Sequence, residues 1–372
     1  MKLQPIFLAA LLMISPVLYG QDNPSILNID RIYNSREFSS ERFGPARWVE
    51  EGKGYTTLET SEIEGSFDLV RYETNSGDRT ILVSSKDLIP DGEEQPLKIS
   101  NYIWSNNRNL LMIFTNTKRV WRRNTRGDYW VLDLKTKNLR QIGADFPEAS
   151  LMFAKFSPDD TRIGFVSKHN IYIEDILSKS ITTLTTDGTD KLINGTFDWA
   201  YEEEFGCRDG FRWSPDGKSI SYWQVDASDI RIFNMINNTD SIYPFNVPVQ
   251  YPKVGEDPSS CKIGIVSASG GETTWLPVPG DSKQNYLPRM MWSPDSKSIM
   301  IQQLNRKQNT NKLWSYVTSS KSITNVFTDK DEAWLDVVND WIWFDDGKEF
   351  SWLSDKDGWR HFYRIASDGS SE

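Results

Sequence analysis

The residues with the most chemical content in this sequence stand together in Asp198-Trp199-Ala200-Tyr201-Glu202-Glu203-Glu204-Phe205. Three adjacent carboxylates repel one another, which raises at least one pKa unless a cation stands nearby. On a short helix successive side chains fan out by about 100°, so two carboxylates can converge while the third faces away. Flanking Trp199, Tyr201 and Phe205 can anchor the turn and lower the local dielectric. A carboxylate pair held in this way suits a primary ammonium, which offers three donors. A solvated acidic surface patch is the plainer reading of the same residues, and the aromatic frame weighs against it.

Other reactive side chains are sparse. The 372 residues hold two His and two Cys, too little for a transition-metal site or a disulfide framework. No metal and no cofactor is expected. His169 reads as a turn residue between strands, and His361 opens a strand in Trp359-Arg360-His361-Phe362, so neither is taken as catalytic. Cys207 and Cys261 stand 54 residues apart; two buried thiols are the default, with pairing left open. Lys and Arg total 42 against 52 Asp and Glu, a net charge of -10, which argues against a fold made to hold nucleic-acid phosphates.

The elements that must position the acidic segment follow from a repeat. Hydrophobic residues make up 38% of the chain and aromatic residues 13%, spread along its whole length, which favours a β-rich unit used many times. Phe156-Ser157-Pro158-Asp159-Asp160, Trp213-Ser214-Pro215-Asp216-Gly217 and Trp292-Ser293-Pro294-Asp295-Ser296 match position for position, and each runs into an alternating apolar stretch. Degenerate copies begin at Trp104 and Trp343 and a faint one at Trp48, giving a mean period of about 59 residues. In each, an aromatic ends one strand, a tight turn follows, and the next strand begins; Pro presets φ, while Asp and Gly tolerate positive values. A second strand signature follows the turn, as in Tyr129–Leu134, Ile171–Asp175, Leu313–Val317 and Phe362–Ile365. Three or four short strands per period, with no long helical pattern, predict an all-β β-propeller of about six blades. Two departures from the period mark insertions: an irregular segment from Gly195 to Gly210, which contains the acidic run, and a Pro-rich loop from Tyr243 to Pro258.

The first 20 residues stand apart. Lys2 is followed by an apolar run from Ile6 to Tyr19 that ends at Gly20, a pattern expected of a secretory signal peptide. An uncleaved anchor is the alternative; the run is short for a span and contains Pro16. Residues 21–372 are then the propeller of an exported protein, at home in the periplasm, the cell envelope or outside the cell.

These motifs carry a resemblance. Asp198-Trp199-Ala200-Tyr201-Glu202-Glu203-Glu204 is similar to the Asp-Trp-x-Tyr-Glu-Glu-Glu motif of dipeptidyl peptidase IV-like serine peptidases in the prolyl oligopeptidase family. Tyr251-Pro252-Lys253-Val254-Gly255 resembles that family's Tyr-Pro-Lys-Ala-Gly, and Trp121-Arg122 precedes Tyr129 as its Trp-Arg precedes a strand. The likeness runs over roughly residues 30–372. It implies that Glu203 and Glu204 hold the free α-amino group of a peptide, supported by Asp198, Trp199, Tyr201 and Glu202. It further implies that Arg122 contacts the carbonyl of the peptide's second residue. From the residues alone, Arg119, Arg123 and Arg126 are equal candidates for that contact. The family's propeller has eight blades and is followed by an α/β-hydrolase domain with a Gly-x-Ser-x-Gly elbow; no such elbow occurs in these residues, and six repeats are visible. The expectation is a truncated N-terminus-recognising and substrate-gating propeller of a secreted dipeptidyl peptidase, inactive without a hydrolase domain in cis. Its implied partners are peptides with a free N-terminus and, in a homodimer, a second copy. A non-catalytic periplasmic interaction scaffold is the alternative.

Overall fold

The computed structural model describes residues 25–35, 37–40, 43–339 and 341–372. The leader expected over residues 1–20 lies outside them. Among the described residues no helix is long and apolar enough to cross a membrane.

Among the described residues the strands fall into six successive antiparallel groups and a separate arm; the second and third groups are joined into one eight-stranded sheet where Arg126 and Gly127 pair with Met152 and Leu151. The first contains β1 (Arg47–Val49), β2 (Gly54–Thr60), β3 (Phe67–Glu73) and β4 (Arg79–Val83). The second contains β5 (Asn101–Trp104), β6 (Leu110–Val120), β7 (Arg123–Asp133) and β8 (Leu139–Ile142). The third contains β9 (Leu151–Phe156), β10 (Arg162–Ser167), β11 (Asn170–Asp175) and β12 (Ile181–Thr183). The fourth begins with β13 (Leu192–Asn194), is interrupted by the helix α1 (Trp199–Phe205), and resumes with β14 (Phe211–Trp213) and β15 (Ser219–Asp226). A separate two-stranded arm, β16 (Ile232–Asn237) and β17 (Phe245–Gln250), precedes its remaining strands β18 (Ser260–Ser267) and β19 (Thr274–Trp275). The fifth contains β20 (Asn285–Trp292), β21 (Ser298–Asn305), β22 (Thr310–Val317) and β23 (Ser322–Lys330), and the sixth β24 (Trp343–Phe344), β25 (Glu349–Ser354) and β26 (His361–Ala366).

The repeat is a register. Trp48 pairs with Tyr55, Trp104 with Leu111, Phe156 with Ile163, Trp213 with Ile220, Trp292 with Ile299 and Trp343 with Phe350, in every case the residue seven positions on. The aromatic therefore occupies one equivalent place in all six groups, at the turn between first and second strands. Within that turn the serine hydroxyl accepts the N–H that opens the next strand: Leu110 to Ser105 at 3.0 Å, Arg162 to Ser157 at 3.0 Å, Ser219 to Ser214 at 3.0 Å and Ser298 to Ser293 at 2.9 Å. Its fourth residue is left-handed throughout, with φ of 59° at Arg108, 57° at Asp160, 69° at Gly217 and 62° at Ser296.

Five hydrophobic cores lie between successive groups, which defines them as blades stacked face to face. Leu69 and Val83 of the first meet Tyr102 and Leu111 of the second. Met112 and Val131 meet Phe156 and Phe165, and Val166 and Ile171 meet Phe211 and Ile220. Trp223 and Ile263 meet Trp292 and Ile301, and Met300 and Leu313 meet Phe350 and Trp352. Burying each such side chain contributes about 1.5–3 kcal/mol. The fourth strands, such as β4, β12 and β19, are the exposed rim, whereas the first strands β9, β14 and β20 are mostly covered.

Part of the Pro-rich insertion differs from the expected loop. Phe245–Gln250 is β17, whose Pro248 stands opposite Asn234 of β16. A two-stranded ribbon has a free edge on each strand, so a residue lacking an N–H is tolerated there.

Candidate functional site

The acidic run sits where the innermost strand of blade 4 is split. β13 pairs with Gln224–Asp226 of β15 and β14 with Ile220–Tyr222 of the same strand edge. The residue between them, Trp223, clamps the insertion at its neck: Gly195 N donates to Trp223 O at 3.0 Å, and Trp223 N donates to Gly210 O at 3.0 Å. The neck closes only because both ends are glycine. A Cβ on Gly210 would stand 2.5 Å from the Gly195 carbonyl carbon, and Gly195 itself has φ of 71°. Residues 195–210 thus leave and re-enter the inner strand at one point, and α1 projects from it.

Local chemistry fixes α1 at both ends. Asp198 is the N-cap, with Oδ1 accepting from Tyr201 N at 3.0 Å and Oδ2 from the Ser259 hydroxyl at 2.7 Å. Burial raises its pKa, against the pull of those two hydrogen bonds. Gly206 ends the helix in the left-handed conformation and returns its N–H to Tyr201 O. Arg289 of blade 5 then donates to Phe205 O at 2.6 Å and to Asn339 at 2.6 Å, placing a cation at the helix C-terminus. Tyr201, 1% exposed, lies against Phe197 and Phe205, and its hydroxyl accepts from Leu287 N at 3.2 Å. Trp199 packs on Tyr251 with ring centroids 4.3 Å apart, so the Tyr-Pro-Lys segment braces the helix. The aromatic frame is real, and it joins blades 4 and 5.

The three glutamates have three different environments. Glu202, 4% exposed, faces inward and accepts from Arg208 Nε at 3.1 Å. Burial raises its pKa; Arg208 opposes the shift and the neighbouring Glu203 charge adds to it. The Glu203 side chain is largely covered, 12% exposed, and its Oε2 lies 2.7 Å from Arg122 Nε. Because Arg122 is 75% exposed, that pair contributes at most about 1 kcal/mol to stability; its value is directional. Glu204 is exposed and lines a cavity of about 270 Å³ together with Trp199, Tyr251, Tyr286 and Arg306. On a helix of this pitch Ala200 projects between Glu203 and Glu204 one turn earlier. Ala200 lines the same cavity as Glu204.

Arg122 arrives from blade 2. β6 and β7 each run 11 residues, far longer than their counterparts in blade 3, and the hairpin closes at Val120 opposite Arg123 with Trp121 left-handed at φ 48°. Its tip therefore passes blade 3 and meets α1 of blade 4, rather than arriving from an adjacent blade. Of the four arginines near this tip, only Arg122 pairs with the acidic segment among the described residues.

Sequence reasoning missed Arg208 and Arg289. Gly206 is the one local signal for Arg208, since a left-handed cap turns the chain back along the helix; Arg289 lies in another blade. Cys207 and Cys261 are free and buried in the core beneath α1. Burial pushes the Cys207 thiol up to about 11 and raises that of Cys261 too. Neither histidine approaches the glutamates: His169 sits in the β10–β11 turn, and exposed His361 bonds Asp357 at 2.9 Å. Among the described residues no three His, Cys, Asp or Glu side chains are grouped to hold a metal ion.

Residues 105–372 match the family described as the dipeptidyl peptidase IV (DPP IV) N-terminal region. The probable dipeptidyl peptidase 4 of Trichophyton verrucosum (strain HKI 0517) is 25% identical over 346 residues, which cover 90% of this chain and 44% of that protein. Dipeptidyl aminopeptidase B of Saccharomyces cerevisiae is 28% identical over 253 residues, 67% of this chain and 29% of its own. The crystal structure of Porphyromonas gingivalis dipeptidyl peptidase 4 superposes with a TM-score of 0.81 and 26% identity, covering 93% of this chain and 48% of that one. The chain spans less than half the length of each. The chain belongs to the dipeptidyl peptidase IV N-terminal region family.

Proposed function

We propose that this chain is the substrate-gating, N-terminus-recognising propeller of an exported serine-type dipeptidyl peptidase, with bond cleavage performed by an α/β-hydrolase domain in cis. The observation that carries the reading is the capped helix α1, which carries Glu203 and Glu204 side by side, with Arg122 docked on Glu203 and Glu204 lining an open cavity. A peptide α-ammonium placed there has a carboxylate on each side for its three donors. Arg122 uses Nε for Glu203, which leaves its terminal nitrogens for a peptide carbonyl.

The site acts as a ruler. Two extended residues span about 7 Å, so a nucleophile fixed at that distance from the glutamates cuts after the second residue and nowhere else. Preference for Pro or Ala at that residue belongs to the same reading. Export rests on the apolar run from Ile6 to Tyr19, and the mass of the mature protein, starting near Gln21, checks it. A homodimer is likewise expected, supported by the apolar side chains that the β16–β17 arm leaves exposed, Met235 at 47% and Ile236 at 72%. The activity test uses the full-length protein and an Ala-Pro amide, offered with its amino group free or acetylated. Release of the dipeptide from the free form, with only a residual rate on the acetylated one, is the expected result. Equal hydrolysis of both, or of neither, removes the reading and leaves the scaffold.

A further inference from the structure

A second cavity, of about 700 Å³, opens on the hairpin that carries Arg122. Its walls include Lys118 and Arg126, which face each other across β6 and β7, and Lys168 and His169 from the turn joining β10 to β11. Both hairpins join the second strand of a blade to the third, so both open on the end of the propeller where Arg122 meets Glu203.

Three features set this cavity apart. Lys118, Arg126 and Lys168 have no carboxylate partner among the described residues, in a chain with a net charge of -10. The two carboxylates on the wall are Glu148, which accepts from Asn116 Nδ2 at 2.8 Å, and Asp190, fully exposed and 3.9 Å from His169 Nε2. Finally, Lys168 and His169 are both left-handed, with φ of 46° and 59°, in a two-residue turn of the kind that Asn-Gly fills readily and Lys-His does not. Burial lowers the pKa of His169, so the ring enters the cavity neutral near pH 7.

We infer that this cavity receives a side-chain carboxylate of the peptide downstream of the released dipeptide. The inference rests on the function proposed above and names a substrate class for it: peptides with Asp or Glu at the fourth or fifth position. Lys118 and Arg126 are each four residues from Arg122 along their strands, which is about 13 Å at roughly 3.3 Å per residue. An extended peptide anchored by its amine at Glu203 and Glu204 carries its fourth or fifth side chain over that distance. The Arg126 guanidinium matches a carboxylate through paired N–H donors, and the two lysines supply point charges around it.

The test measures kcat/KM of the full-length protein on heptapeptides that share their first three residues and carry Glu, Gln or Lys at position four or five. Glu should be favoured over Gln by about five-fold at low ionic strength, with Lys disfavoured, and the preference should shrink as salt rises. In Arg126→Gln and separately in Lys118→Gln, an exposed position, the Glu-to-Gln ratio should fall towards one, while Arg126→Lys keeps most of it. The ratio is taken within each variant, so a general loss of activity does not mimic the effect. Equal cleavage of Glu and Gln peptides by the unaltered protein overturns the inference, as does a preference that survives both charge removals. An Ala-Pro amide, which ends before the cavity, separates the two claims. Its hydrolysis without acid preference sinks the cavity inference alone, and its failure to be hydrolysed sinks the functional reading.

Discussion

The two ends of the propeller are built from the same strands and use their turns in opposite ways. At one end, the turns between first and second strands are alike, and their polar groups bond within the turn or to the next turn in the series. Ser157, Ser214 and Ser293 donate to Asp159, Asp216 and Asp295 at 2.5, 2.6 and 2.7 Å. Each turn also bonds the next: Asn106 N to Asp160 at 2.8 Å, Arg162 to Gly217 O at 2.7 Å, and Asp216 N to Ser296 at 3.0 Å. At the other end, β6 and β7 overrun their blade, the β10–β11 turn holds two left-handed residues, and α1 interrupts an inner strand. There, among the described residues, Lys118, Arg126 and Lys168 have no carboxylate partner, and Arg122 and Arg289 reach across blades. Repetition satisfies the backbone and closes the blades, whereas each departure from it leaves polar groups free for a ligand.

The sharpest way to break this comparison is to ask whether α1 is core or loop. Trp223 underlies the insertion, is 1% exposed, and donates from Nε1 to Leu287 O at 2.7 Å in the next blade. Trp223→Ala should cost about 3–5 kcal/mol in urea unfolding, the range for deleting a large core aromatic. A loss near zero would mean that the helix rides loosely on blade 4.

A smaller effect is expected at Arg208. Arg208→Ala leaves Glu202 buried without its cation, and because Arg208 is about a third exposed the cost should be about 1–3 kcal/mol at pH 7 rather than that of a fully buried pair. The sign with pH follows from Glu202, whose folded pKa is raised by burial above the ordinary 4.5. A raised carboxylate pKa favours the protonated folded state, so its contribution is fully present below about 4.5 and is lost as pH rises through the folded value. Removing Arg208 raises that value further, so the cost of the substitution should shrink on acidification. A cost independent of pH between 4 and 7 would show that Glu202 is not the group affected.

The smallest effect belongs to the repeated end. Ser214→Ala removes the hydroxyl that accepts from Ser219 N and donates to Asp216, and should cost about 0.5–1.5 kcal/mol in the same unfolding assay. Binding of a free-amine peptide should not change, because that turn lies at the far end of the strands from Glu203. A change in affinity without loss of stability would undo the division between the two ends.

That division also explains what the sequence discloses. The turn chemistry is local, so the Ser-Pro-Asp copies at Phe156, Trp213 and Trp292 are plain. The Trp48 copy is faint because Val49 and Glu50 stand in place of Ser-Pro, yet its pairing with Tyr55 keeps the common register. The acidic motif is legible as a helix with an aromatic frame because Asp198 caps it and Gly206 stops it. Its charge partners are not. Arg122 is distinguished from Arg119, Arg123 and Arg126 only by the path of a long hairpin with Trp121 left-handed at its tip, and Arg289 only by the packing of blade 5 on blade 4. β13, three residues long, carries too little pattern to reveal that the inner strand is split.

The central claim is that Glu203 and Glu204 grip an α-ammonium, and one comparison tests it directly. In the full-length protein, kcat/KM is measured for a free-amine dipeptide amide and for its acetylated form, before and after Glu203→Gln. The account predicts a loss of about 2–5 kcal/mol for the free amine, the range for truncating one side of a desolvated charge pair, and little further change in the residual rate of the acetylated form. Equal proportional losses on both substrates would show that the substitution damages the scaffold, and no loss on the free amine would return the acidic helix to a solvated surface patch.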